Sequence, residues 1–155
     1  MRPGTILSIQ IATNAADRLT DLQQVHAIAG MGLEGDRYYT RKGTYSNKHD
    51  ESREATFIES EALDALGKDY GVEFTGPESR RNFTTRGVAL NHLVGREFRV
   101  GGAVFHGIRL CEPCTHMEKV SGKQARSGLI HRGGLRAQIV KSGLVSVGDE
   151  VVESE

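Results

Sequence analysis

Cysteine is scarce in this chain: two residues in 155, Cys111 and Cys114. Two cysteines in a chain of this length make no disulfide framework, and 155 residues can bury a proper core without staples. An excess of one charge is missing too. Lys and Arg number 20 against 20 Asp and Glu, for a formal net charge of +0. That excludes a global electrostatic pull toward nucleic acid or an anionic membrane. No apolar run approaches the roughly 18 residues that span a bilayer. The opening Met1-Arg2-Pro3-Gly4-Thr5 moves straight into an apolar stretch, without signal-peptide architecture. The expectation is one soluble domain over residues 1–155, with no nucleic-acid or membrane partner, in the cytoplasm.

Glycine, by contrast, is abundant. Nineteen glycines are nearly twice the usual share of about 7 per cent. They are spread along the chain rather than concentrated in one tract, and no internal repeat accompanies them. Many glycines between short apolar runs indicate a turn-rich β architecture. Residues 5–11, 25–29 and 55–58 read as strands, and residues 82–88 as extended chain. Residues 97–100 and 103–105 flank Gly101-Gly102, a pair that favours a hairpin. Residues 108–111, 135–140 and 150–152 continue the β pattern. Between them the period changes: Ala62, Leu63 and Leu66 share a helical face, Ser60 is a plausible N-cap, and Gly67 and Gly71 would end the helix. A turn of helix over 90–94 is closed by Gly95. Residues 40–54 are polar and charged, the signature of a long surface loop. These signals predict a mainly β fold, a barrel of seven or eight short strands with one or two short helices.

Chemistry concentrates at Leu110-Cys111-Glu112-Pro113-Cys114-Thr115-His116-Met117. A thiolate is both a strong nucleophile and a soft metal ligand. Thr115-x-x-Glu118 has the form of a capping box, so a helix is expected to start at Thr115. Cys114 then lies just before it, where unpaired N–H groups favour thiolate over thiol. Cys111 belongs to the end of the preceding strand. Two cysteines filling a strand-to-helix corner are the plain structural alternative. A zinc site would need two more ligands; His106, His116 and His131 exist, but no second C-x-x-C or H-x₃₋₅-H pair does. No parallel α/β pattern surrounds the segment, which argues against a thioredoxin-like redox pair.

Three further clusters stand out. Gly30-Met31-Gly32-Leu33-Glu34-Gly35-Asp36-Arg37 is a glycine-rich turn with acid and base, preceding no clear helix. Arg80-Arg81-Asn82-Phe83-Thr84-Thr85-Arg86-Gly87 packs three arginines with an amide and hydroxyls, a group suited to an oxyanion or phosphate. A solvated basic turn paired with Glu78 is the alternative. His131-Arg132-Gly133-Gly134-Leu135-Arg136 is a second basic glycine turn, whose histidine is either a proton donor or simply solvent-exposed.

Taken in order, these segments resemble a known family. G-L-E-G-D-R at 32–37, S-R-R-N-F-T-T-x-G-V-x-L at 79–90, G-R-E-F-R-V-G at 95–101, C-E-P-C at 111–114 and G-L-x-x-x-I-x-x-x-G-x-V-x-V-G-D-x-V at 134–151 are similar to the MOSC domain. That family takes its name from the C-terminal domain of molybdenum cofactor sulfurases. The resemblance spans residues 5–152 and implies a MOSC-type β-barrel of mostly antiparallel strands. It implies a molybdopterin-type molybdenum cofactor and a cysteine that ligates molybdenum or carries sulfur, which by position is Cys114. It further implies cofactor contacts from Arg80, Asn82 and the adjoining Arg81, and from Gly35, Asp36 and Arg37 of the glycine turn. Pyridoxal phosphate is associated with the family, yet the chain carries no pyridoxal-phosphate domain. Two functions follow from the resemblance. One is a small reductase of N-hydroxylated or N-oxide substrates fed by an external electron donor. The other is a non-catalytic persulfide carrier or cofactor-delivery protein, served by a sulfur donor and acting on another molybdoenzyme.

Overall fold

A computed structural model of the chain describes residues 1–13, 19–40, 50–113 and 115–154. Short apolar runs broken by glycine give short strands here, and the strands close on themselves. In chain order they are β1 (Gly4–Ile11), β2 (Thr20–Leu22), β3 (Gln24–Ile28), β4 (Gly32–Leu33), β5 (Ala55–Glu59), β6 (Phe83–Arg86), β7 (Glu97–Val100), β8 (Ala103–Leu110), β9 (Leu135–Lys141), β10 (Gly143–Ser146) and β11 (Glu150–Glu153). Among the described residues three α-helices join them: α1 (Arg37–Thr40), α2 (Ser60–Tyr70) and α3 (Thr115–Ser121). Hydrogen bonding runs β11-β7-β8-β9-β5-β6-β1, and β1 pairs again with β11, so seven strands form a closed barrel. Strand β2 extends it beside β1, and β10-β3-β4 make a small separate sheet. Only β5 and β6 pair in parallel among the described strands; the other pairings are antiparallel. The mainly β barrel expected from the sequence is the observed fold.

Its interior is filled by alternate residues of each strand. Four fully buried phenylalanines meet at the centre, where Phe57 stacks on Phe83 at 4.7 Å and Phe98 on Phe105 at 5.6 Å. Phe57 meets Phe105 edge-on at 5.2 Å, so the two stacks interlock. A second core lies outside the barrel, where Ile58 of β5 packs with Ala62, Leu63 and Leu66 of α2, Phe74, Met117 of α3, Ala125 and Leu129. Two cores thus use opposite faces of β5, with Ala55 and Phe57 inward and Ile58 outward.

Several sequence expectations need correction. Gly67 does not end α2: the helix runs on to Tyr70 and stops at Gly71, whose φ of 68° provides the left-handed cap. Its N-cap is Glu59 rather than Ser60, and makes no side-chain cap bond. The runs at 103–105 and 108–111 are one strand, β8, with a register shift between Gly107 and Arg109. A Cβ at Gly107 would lie 2.1 Å from the Leu93 carbonyl oxygen, so glycine is what lets the 3₁₀ turn Leu90–Leu93 cross the strand there. Within the predicted surface loop, Glu51–Arg53 is a 3₁₀ turn capped by Asp50, with Ser52 buried; residues 41–49 lie outside the described residues. Finally, the glycine-rich turn at 30–37 does lead into a helix, the single turn α1.

Candidate functional site

The segment before Cys114 is fixed in place from two sides. Strand β8 ends at Leu110, opposite Leu135, and the Cys111 N–H donates to the Gly134 carbonyl at 2.7 Å. The Cys111 thiol is free and only 1% exposed. Gly133 and Gly134 allow the close approach. A Cβ at Gly133 would stand 2.5 Å from the Cys111 oxygen, and one at Gly134 (φ +118°) 2.1 Å from the Phe57 oxygen. On the other side stands Arg81, 5% exposed. Its Nε donates to the Gly133 oxygen at 2.8 Å, its Nη1 to Ser79 at 3.0 Å, and its Nη2 to Cys111 at 3.0 Å and Glu112 at 3.5 Å. A buried guanidinium is tolerable when carbonyl dipoles surround it. Arg81 therefore ties three separate stretches of backbone together.

A second clasp lies at the surface. His131 adopts a left-handed backbone (φ 63°), rare for a residue with a Cβ. Its N–H donates to Glu112 Oε1 at 2.7 Å, its Nδ1 lies 2.9 Å from Glu112 Oε2, and Asn91 Nδ2 donates to its carbonyl at 2.8 Å. His131 is thus exposed and also paired, with the Glu112 carboxylate two residues before Cys114 in the cysteine segment that both clasps hold. Cys114 itself lies outside the described residues. Helix α3 begins at Thr115 as expected, and Glu118 Oε2 accepts the Arg126 N–H at 3.0 Å. Among the described residues, no group of three or more His, Cys, Asp or Glu is arranged to hold a metal ion.

The remaining predicted site residues gather around the C-terminal end of β1. Arg80 caps the 3₁₀ turn Pro77–Ser79 in a left-handed conformation (φ 65°) and is 6% exposed. A strained non-glycine backbone of this kind persists where its surroundings over-determine it. Asn82 is completely buried. Its Oδ1 accepts from the Thr56 N–H at 3.1 Å and hydroxyl at 3.0 Å, and its Nδ2 donates to the Gln10 oxygen at 3.1 Å. Two residues along β1's exit, the Ala12 N–H donates to Asp36 Oδ1 at 3.0 Å. Asp36 is also fully buried, and burial raises its carboxyl above the usual range against the pull of Arg37, whose Nη1 is 3.6 Å away. The Arg37 guanidinium lies over the Tyr38 ring, 4.7 Å from its centre. Gly35, at φ +87°, makes the turn that brings Asp36 inward. Arg81 and Asn82 have their polar atoms engaged by the protein's own backbone, so they position the site's surroundings.

Sequence reading passed over one feature. Arg109 of β8 and Arg136 of β9 are direct partners across the antiparallel pair. Nothing in the linear order flags this, because residues 27 apart meet only through the register.

A model of the MOSC domain matches residues 44–152, well over half of the chain. The chain belongs to the MOSC family. Solved MOSC-like structures agree in fold. The YuaD protein from Bacillus subtilis superposes with a TM-score of 0.82 at 16% identity, covering 99% of this chain and 97% of that one. YiiM from Geobacillus stearothermophilus gives 0.74 at 16% identity, with 99% and 76% covered. YiiM from Escherichia coli gives 0.68 at 16% identity, with 100% and 71% covered. No curated protein matches this MOSC chain in sequence. Among its described residues, no helix is long and apolar enough to cross a membrane.

Proposed function

We propose that this MOSC protein binds a molybdopterin-type molybdenum cofactor with Cys114 as the metal ligand. In this reading it reduces N-hydroxylated or N-oxide substrates with electrons from a separate donor protein. The observation that carries the reading is the Arg81 clamp. It holds the carbonyls of Cys111 and Glu112 against Gly133, which fixes the backbone leading into Cys114. A ligating thiolate needs such a fixed approach, because a loosely held ligand costs affinity and geometry.

The residues present suit the group. A thiol is the soft donor a dithiolene-bound molybdenum accepts. Arg80 stands directly before the clamp, and its cationic fork suits an anionic phosphate. Asn82 and Asp36 brace the end of β1 beside it, so that Arg80 is carried on a rigid frame. When bound, the cofactor supplies the two-electron redox chemistry. The chain's own residues position the thiolate, hold the anionic end and place a histidine, His131, against Glu112 of the cysteine segment.

The test is to produce the protein in a host that makes molybdopterin and measure bound molybdenum and pterin in wild type and Cys114→Ser. Near-stoichiometric metal that disappears in the variant supports the reading. Metal-free protein bearing cyanolysable sulfur on Cys114 replaces it with a persulfide carrier, served by a sulfur donor. Neither metal nor sulfur overturns a functional thiol at Cys114.

A further inference from the structure

Outside the barrel, beside the second core, an open cleft of about 510 Å³ is lined by Tyr70, Val72, Glu118, Gln124, Arg126 and Ser127. That volume falls in the roughly 300–1,000 Å³ range of small-molecule sites. None of the residues assigned above to the cofactor lines it. The sequence explains which groups reach the cleft. Met117, Ala125 and Leu129 are drawn into the second core, and Val72 packs against it. Their neighbours Glu118, Gln124, Arg126 and Ser127 are left on the rim with their polar groups.

The walls are held in place. A Cβ at Gly128 would stand 2.2 Å from Leu66 Cδ1 and 2.9 Å from Tyr70 Cδ1, so bare backbone is what lets the Tyr70 ring lie against the 3₁₀ turn Ser127–Leu129. Arg132 pins that contact: its Nε donates to the Gly128 oxygen at 2.8 Å, and its Nη2 lies 3.6 Å from Oδ2 of Asp69, the residue before Tyr70. Across the cleft, Glu118 Oε2 accepts the Arg126 N–H at 3.0 Å. Lys123 anchors the loop between them, donating to the Glu73 carbonyl at 2.8 Å and to Glu78 Oε1 at 2.9 Å. Arg132 and Lys123 are thus engaged by the fold. Arg126 is not: it is exposed and forms no ion pair among the described residues. Tyr70 is likewise 55% exposed although one edge of its ring is held.

A ring held at one edge and bare elsewhere offers a surface for another ring, and a guanidinium fork matches the two oxygens of a carboxylate. We infer that this cleft binds a flat aromatic molecule bearing a carboxylate, with its ring against Tyr70 and Val72 and its carboxylate on Arg126. Glu118 sets the charge of the ligand. Its second oxygen accepts from an amino or hydroxyl substituent, and its negative charge opposes a doubly charged head such as phosphate. The inference does not rest on the molybdenum reading, because neither Cys114 nor Arg80 takes part in it.

The test titrates isotope-labelled full-length protein with para-aminobenzoate and follows the backbone amides by NMR. Wild type shows saturable shifts at Tyr70, Val72 and residues 124–127, and the affinity falls as salt rises. Arg126→Gln weakens binding about tenfold or more, the loss of a charge-assisted pair. Tyr70→Leu keeps an apolar wall without the ring and also weakens it. Arg99→Gln, which replaces an exposed arginine on β7, leaves it unchanged. Thermal melts check that the variants are folded. Aniline, which lacks the carboxylate, binds wild type about tenfold more weakly or worse, and this comparison stands whatever the variants do. The absence of saturable shifts in wild type overturns the inference, as do shifts that map elsewhere on the molecule. Equal binding of aniline, or undiminished binding by folded Arg126→Gln, overturns it as well. Tighter binding of phenyl phosphate than of para-aminobenzoate overturns the choice of a carboxylate. All of these outcomes are read without reference to metal or pterin content, so they and the Cys114→Ser experiment fail separately.

Discussion

Replacing Arg81 by lysine keeps the positive charge but removes the fork, and that difference gives a measurable energy. Arg81 donates to the carbonyls of Gly133, Ser79 and Cys111, all within 3.0 Å and all in a buried setting. A hydrogen bond to a charged group is worth about 1.5–3 kcal/mol net. A lysine ammonium is a point donor that can satisfy one such carbonyl well in this geometry. Two carbonyls then lose their partner, so Arg81→Lys is expected to cost about 3 kcal/mol. Arg81→Ala frees all three but also removes a buried charge, so its cost is expected at about 3–5 kcal/mol rather than three full bonds. For a domain of this size that corresponds to a fall in melting temperature of roughly 6–20 °C. Urea unfolding followed by circular dichroism reads the energy. Hydrogen exchange at the Cys111 amide, which donates to Gly134, reads whether the cysteine segment has loosened locally. Arg81→Lys within about 0.5 kcal/mol of wild type, with Cys111 exchange unchanged, would refute the clamp.

Gly134→Ala places a Cβ 2.1 Å from the Phe57 oxygen at a φ of +118°. It is expected to yield mostly insoluble protein, with soluble yield against a Gly122→Ala control as the measure, since Gly122 has open space around its Cβ position. Burial raises the Glu59 carboxyl above its ordinary 4.5, although the Leu90 N–H donates to it at 3.1 Å. A carboxyl raised in the folded state costs stability once the pH exceeds its folded value, and the cost fades as pH falls. Glu59→Gln keeps an acceptor for Leu90, so it should be more stable than wild type at pH 7. The difference should shrink as the pH drops through the carboxylate range, followed by melts from pH 7 to pH 3.

Barrel strands were legible because the chain punctuates them with glycine. The Gly101-Gly102 hairpin and the run from Thr5 to Ile11 were read from local pattern alone, and both stand. Local reading failed where a distant neighbour decides. The runs 103–105 and 108–111 read as separate pieces, yet they form one strand, β8, whose middle residue Gly107 leaves room for the Leu93 carbonyl crossing above it. Gly67 looked like a helix end, but Gly71 closes α2 and the turn between is tolerated at a cost of about 1 kcal/mol. The arginine cluster shows the limit most sharply. Arg80, Arg81 and Asn82 are consecutive and looked like one anion cradle. In the fold, Arg81 binds backbone carbonyls, Asn82 pins β1 to β5, and Arg80 sits just before them in the left-handed cap of the 3₁₀ turn Pro77–Ser79. Side-chain direction separates the three, and the sequence carries no local signal for it.

Closure of the barrel between β1 and β11 sets how this protein must fold. Gly4 pairs with Val151 and Thr5 with Glu150, so the ring is completed by residues from nearly opposite ends of the chain. The stretch of β1 that pairs with β11 stays without that partner until the later strand has been made. Its neighbour β6 is itself 74–81 residues away in sequence, and only Ile9–Ile11 pair early, with β2. Contacts of such long range impose a large loop-closure entropy before they return any stability. Refolding is therefore expected in the slow range typical of barrels, and the exposed edge of β1 during that interval is the stretch most open to pairing with another chain.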